Sequence, residues 1–153
     1  MKTSRRNDAT SARWTVGALM TPQPVTIGRS ETLMTAHRLM RTHRIRHLPV
    51  LEHGELVGIV TQRDLFLIES IHGVDVDEDL VEDAMGKETY AVAPDAPIAH
   101  VAKHMMKQRY GCAVVMERGR VIGIFTVTDA LRLVSTLAPA PTEATVPSRG
   151  AAS

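Results

Sequence analysis

Cysteine is almost missing from this chain: Cys112 is the single one in 153 residues. That excludes an intrachain disulfide framework and a cysteine-rich zinc site. Its neighbours Ala113, Val114 and Val115 read as a buried strand in which the thiol acts as a small hydrophobe. Aromatics are only 3% of residues, so the core has to come from Val, Ile, Leu, Met and Ala. No apolar run is long enough to cross a bilayer. The charged start MKTSRRND leads into no apolar stretch of the kind an export signal needs, and a cytoplasmic protein is expected. A net charge of +1 supplies no global attraction to nucleic acid. Ser/His/Asp signatures, a P-loop and a dinucleotide fingerprint are also missing, so nothing in the sequence supports an enzyme.

What the sequence does contain is a copy of itself. Gly58–Asp64 reads GIVTQRD and Gly123–Asp129 reads GIFTVTD, an offset of 65 positions. The same offset relates Gly54 to Gly119, Val50 to Val115, Arg44 to Arg109, Met40 to Met105, Met20 to Met85 and Val16 to Val81. Polar residues kept at one junction of both copies imply two related sites as well as two related cores.

The expected division is a flexible arm at 1–13, a first repeat at 14–71, a linker at 72–78, a second repeat at 79–136 and a disordered Pro/Ala-rich tail at 137–153. Within each repeat the pattern predicts a short helix, a short strand, a longer helix, two strands and a closing helix. The first strand of repeat one falls at Val25–Ile27. The longer helix, capped by Ser30, presents Leu33, Ala36, His37, Met40 and Arg44 on one side. Its copy, capped by Asp95, presents Ile98, Val101, Ala102, Met105 and Arg109. Strand pairs follow at His47–Leu51 with Leu56–Val60, and at Cys112–Met116 with Val121–Phe125. The fold class is α/β, with two small mixed sheets packed against helices.

Thr61-x-x-Asp64 and Thr126-x-x-Asp129 each follow a glycine-led apolar strand and open a helix. A threonine at the N-cap with an acid three residues on is a variant of the capping box, which satisfies unpaired amides of the first turn. The same geometry suits a ligand. Free amides and the helix dipole attract phosphate, and one turn further in a carboxylate can accept hydrogen bonds from a vicinal diol such as ribose.

The β-α-β-β-α unit, the doubled G-h-h-T-x-x-D ending and the HLPV strand after basic residues resemble a tandem pair of CBS domains, named after cystathionine β-synthase. The resemblance covers about 14–136. It implies a Bateman module: two repeats related by a pseudo-two-fold axis, with clefts for AMP, ADP, ATP or S-adenosylmethionine. Carried over from that family, Asp64 and Asp129 hold ribose, and Thr61 and Thr126 lie by the phosphate. Adenine is surrounded by Thr26, Ile27, His47, Leu48 and Pro49, and in the copy by Ala91, Val92, Cys112, Ala113 and Val114. In that setting at least one arginine of the basic stretch 41–47, with Arg44 and Arg46 as the site candidates, is expected to bind phosphate. Gly111 and Cys112 replace Arg46 and His47, so the two clefts should differ.

The expected function is regulatory binding of an adenine nucleotide with no catalytic step and no cofactor. The signal would pass to a partner protein, and a homodimer formed through helices is expected. The alternatives are a protein-interaction module with degenerate clefts, or nucleic-acid binding through the basic stretch 41–47. Metal binding is not expected. His43/His47 and His100/His104 stand four apart but lack an obvious third ligand.

Overall fold

The structure, a computed structural model, describes residues 13–139. The expected N-terminal arm and Pro/Ala-rich tail therefore lie almost wholly outside the described residues. The chain runs α1 (Val16–Leu19), β1 (Thr21–Pro22), β2 (Ile27–Gly28), α2 (Leu33–His43), β3 (His47–Glu52), β4 (Glu55–Thr61) and α3 (Gln62–Glu69). The copy follows as α4 (Val81–Ala84), β5 (Ala91–Val92), α5 (Ile98–Gln108), β6 (Cys112–Glu117), β7 (Arg120–Thr126) and α6 (Val127–Leu137). The mixed α/β class expected from the sequence is the class observed.

One sheet is three-stranded in the order β2-β3-β4, the other four-stranded in the order β1-β7-β6-β5. In each, a short strand runs parallel to the first member of an antiparallel hairpin: β2 beside β3, β5 beside β6. Both hairpins turn on two residues of positive φ, His53-Gly54 at 48° and 81° and Arg118-Gly119 at 49° and 74°. Two left-handed central residues match the twist of the flanking strands. The β4 strand contacts β7, bringing the two hairpins together.

The cores are built across the repeats. Ile27, Leu33, Ala36, Met40, Leu48, Val50, Val60 and Leu65 of the first repeat surround Val81, which comes from the second. Reciprocally, Ile98, Val101, Met105, Ala113, Val115 and Phe125 surround Val16 from the first. Both exchanged valines are fully buried, and burying one contributes on the order of 1.5–3 kcal/mol. Backbone hydrogen bonds hold the exchange. Val81 N donates to Glu31 O at 2.8 Å and Val16 N to Ala96 O at 2.9 Å.

The same exchange explains the motif glycines. A Cβ on Gly58 would sit 2.7 Å from Met85 Sδ and 2.8 Å from Gly86 O, and one on Gly123 would collide with Met20. Each glycine is the place where the other repeat's arm crosses its hairpin. Gly86 exchanges backbone hydrogen bonds with Ile59, at 2.9 and 3.0 Å, and Thr21 lies opposite Ile124 in β1–β7 pairing.

Several expected boundaries move for this reason. Neither Ser30 nor Asp95 caps its helix: α2 begins after Thr32, whose hydroxyl accepts from Thr35 N, and α5 begins after Pro97 with no side-chain cap. The first-turn amides are already satisfied by the incoming arms. Leu33 N donates to Asp79 O at 3.0 Å, Met34 N to Val76 O at 2.9 Å and Ile98 N to Trp14 O at 2.7 Å. The strand expected at Val25–Ile27 is Ile27–Gly28. Arg44 and Arg109 are not members of a helix face; they end α2 and α5 in the left-handed region, at φ 54° and 59°.

Candidate functional site

The two threonine–aspartate boxes sit at the ends of β4 and β7, where the chain leaves a sheet and starts a helix. In the first, Asp64 N donates to Thr61 Oγ1 at 3.1 Å. Asp64 Oδ2 in return accepts from Thr61 N at 2.8 Å and Thr61 Oγ1 at 2.7 Å. The second repeats this with Asp129 N to Thr126 Oγ1 at 3.3 Å, and with Thr126 N and Oγ1 donating to Asp129 Oδ2 at 2.8 and 3.0 Å. Capping and ligand recognition are compatible here, because the box consumes one carboxylate oxygen and leaves the other to its surroundings.

Those surroundings differ. Asp129 Oδ1 accepts from Thr21 Oγ1 at 3.3 Å and Arg132 Nη1 at 2.9 Å, and Asp129 is the one buried charged residue among those described. Asp64 Oδ1 has no hydrogen-bond donor among the described residues, and Asp64 is only half-buried. Neither Thr21 nor Arg132 was singled out by the sequence analysis. The repeat offset carried the signal, since their counterparts are Gly86 and Leu67, neither able to donate from a side chain.

Of the residues expected around adenine, Ile27 lies in β2 opposite Val50, while His47, Leu48 and Pro49 open β3. Leu48 and Pro49 are fully buried, leaving His47 and Thr26 the more accessible of the group. In the copy, Ala91 and Val92 pair with Val114 and Val115, and Cys112, Ala113 and Val114 are buried in β6. Burial pushes the Cys112 thiol up to about 12, which makes it an inert hydrophobe at neutral pH. The His47 imidazole is pushed below its ordinary value, first by burial and then by Arg46, with Asp64 opposing. His47 therefore stands close enough to feel the box carboxylate.

Arg46 adjoins the first box through its backbone, its carbonyl accepting from Gln62 N at 3.0 Å, while the side chains of Arg44 and Arg46 have no ion pair with Asp64. They line a groove of about 650 Å³ between α2 and α3 together with His37, Arg41 and Gln62. The carboxylate in that groove, Glu69, is paired with His37. Arg41, Arg44 and Arg46 are exposed and have no ion-pair partner among the described residues. The equivalent groove in the second repeat, about 420 Å³, is lined by Ala102, Met105, Met106, Arg109, Tyr110, Gly111 and Val127. One copy is basic and the other largely apolar.

The spaced histidines have structural surroundings. His43 closes α2 while His47 opens β3, so the two do not share a helix face. His104 packs in a cluster with Tyr90 and Tyr110, with ring centroids 4.3 and 6.0 Å away. No group of three or more His, Cys, Asp or Glu placed to hold a metal occurs among the described residues. No described helix is long and apolar enough to cross a membrane.

Two duplicated half-units that exchange arms, each with a capped carboxylate at a strand-to-helix junction, define a paired-repeat module. The CBS domain family matches residues 16–69 and 81–136. The chain belongs to that family, as a tandem pair. It is 32% identical over 117 residues to the L-aspartate semialdehyde sulfurtransferase of Methanocaldococcus jannaschii, covering 75% of this chain and 22% of that protein. It is 35% identical over 106 residues to an inosine-5′-monophosphate dehydrogenase of Korarchaeum cryptofilum, covering 69% of this chain and 21% of that one. The chain thus spans about a fifth of the length of these relatives. Among solved structures, a Vibrio cholerae protein named for acetoin utilization superposes with a TM-score of 0.74 at 32% identity, covering 80% of this chain and 91% of its own. The CBS domain pair of protein MJ0100, solved with 5′-methylthioadenosine and S-adenosyl-L-methionine, superposes with a TM-score of 0.71 at 28% identity, covering 81% and 98%.

Proposed function

We propose that this chain is a regulatory module that senses adenine nucleotides (AMP, ADP or ATP, with S-adenosylmethionine as a further candidate) and passes the signal to a partner protein. The carrying observation is the duplicated Thr61–Asp64 and Thr126–Asp129 box at the start of α3 and α6. A helix start offers amides and a dipole to an anion, and the box carboxylate offers acceptors to a ribose diol. The MJ0100 pair, of the same family and fold, was solved with two adenosyl compounds. Repeats 14–71 and 79–136 would supply one site each. Adenine would lie against the Thr26–Ile27 and His47–Pro49 segments in one cleft, and Ala91–Val92 and Cys112–Val114 in the other. The role is recognition without catalysis, in the cytoplasm.

The module would work as a homodimer. Val127, Leu131 and Val134 are exposed along α6, with Leu137 beyond them and exposed Met106 on α5. Covering such a stripe with a second copy would add to what two half-sized cores supply. A thermal-shift panel of adenosine, AMP, ADP, ATP and S-adenosylmethionine tests the ligand class. A ligand at a hundredfold over its Kd should stabilise by about 2.7 kcal/mol. No shift with any of them would leave the protein-interaction alternative standing.

A further inference from the structure

The two boxes keep the same threonine and aspartate, yet they do not present the same carboxylate. On Asp129 every acceptor direction is used: Oδ2 by Thr126 N and Oγ1, Oδ1 by Thr21 Oγ1 at 3.3 Å and Arg132 Nη1 at 2.9 Å. Among the described residues, Asp64 has only Oδ2 used, again by its own threonine. A vicinal diol brings two hydroxyl donors, and a carboxylate can take them only where its lone pairs are open. At Asp64 they are. At Asp129 an incoming diol has to displace a guanidinium and a hydroxyl first.

We propose that Arg132 and Thr21 hold the second box closed, so that Asp64 is the stronger diol site and Arg132 sets how weakly Asp129 binds. This rests on the ribose reading of the boxes given above and adds which box is open and what closes the other. The geometry suits a latch that yields. The Arg132 side chain is 68% exposed while the Asp129 carboxylate is 7% exposed, so the arginine can swing into solvent without unpacking the core. Solvent also limits the strength of the pair. Thr21 makes the latch reach across the molecule. It belongs to the first repeat's arm, 108 residues away in sequence, and lies in β1 against β7. A diol seated on Asp129 therefore removes one tie between that arm and the second repeat. No such tie exists at Asp64 among the described residues, where the equivalent arm residue is Gly86. Occupancy of the second box would then loosen one arm only.

Calorimetric titration with AMP, and in parallel with 2′-deoxy-AMP, tests the latch in the full chain. Wild type should show a tighter site lost in Asp64→Asn and a weaker one lost in Asp129→Asn. In the Asp64→Asn background, Arg132→Ala should tighten the remaining site by about twofold to fivefold, the span of one exposed ion pair. Adding Thr21→Val, which keeps the shape and removes the hydroxyl, should bring the gain to about tenfold. The gain should be smaller with 2′-deoxy-AMP, which has lost one hydroxyl of the diol. If Arg132→Ala and Thr21→Val each leave that site unchanged or weaken it, the latch is wrong while the nucleotide reading stands. If wild type and every variant fail to bind AMP, both fall together.

Discussion

Gly111 leaves room for His47: a Cβ at Gly111 would lie 2.5 Å from the imidazole Nε2. The two residues come from different repeats, and the offset pairs Gly111 with Arg46 and His47 with Cys112. The first repeat thus puts a large ring at the junction and the second removes a side chain to accept it. The exchange of Arg46 for Gly111 is a packing requirement as well as a loss of charge.

A pH dependence follows from that ring. Burial and Arg46 hold the His47 imidazole below its ordinary value of 6.5. Below pH 6.5 the unfolded chain takes up a proton that folded His47 resists, so stability should fall as pH drops through that range. Above it, both states are neutral and the contribution is fully present. Urea unfolding at pH 7.5 and 5.5 should show a smaller acid loss in His47→Gln than in wild type. Equal losses would place the acid sensitivity on other groups.

The arm exchange makes Gly58 sensitive to a single methyl. A Cβ there meets Met85 Sδ and Gly86 O inside 3.0 Å, and backbone cannot yield as a flexible chain end can. Gly58→Ala should cost about 1–3 kcal/mol. Gly54→Ala has open space around it but a φ of 81°, so its cost, about 1 kcal/mol, should come from backbone conformation alone. Denaturant midpoints for both variants check the difference, and a near-neutral Gly58→Ala would contradict the crossing arm.

The basic groove predicts a ligand-dependent effect. Arg44 and Arg46 line it with Arg41, His37 and Gln62, the second residue of the box. If a phosphate chain reaches from the box into the groove, Arg46→Ala and Arg44→Ala should each weaken ATP by about tenfold and leave adenosine unchanged. The loss should shrink with added salt, since all three arginines are exposed. Equal losses for ATP and adenosine would assign these arginines to the fold.

The repeat made much of this architecture legible. The offset placed both hairpins within a residue or two, because alternating apolar residues and turn glycines are local signals: His47–Leu51 was expected and His47–Glu52 is observed. The boxes were legible for the same reason, as a cap is written in four consecutive residues. The exchange of Val16 and Val81 between cores was not, because a single valine on a short helix packs equally well on its own repeat as far as its sequence can tell. Ser30 and Asp95 do not cap for the same reason, since Asp79 O and Trp14 O from the arms accept from first-turn amides instead. Thr21 and Arg132 lie outside the motif, and only proximity in space joins them to Asp129.

The claim that the two boxes bind an adenine nucleotide is tested most directly by calorimetry on Asp64→Ala, Asp129→Ala and the double variant, with AMP and ATP. Losing the carboxylate bonds to ribose should cost about 1.5–3 kcal/mol at a site, or about tenfold to a hundredfold in affinity. Asp64→Ala should weaken the tighter site by that factor, Asp129→Ala the weaker, and the double variant both, while remaining folded. A folded double variant that binds AMP and ATP as wild type does would contradict the account and leave the boxes as helix caps.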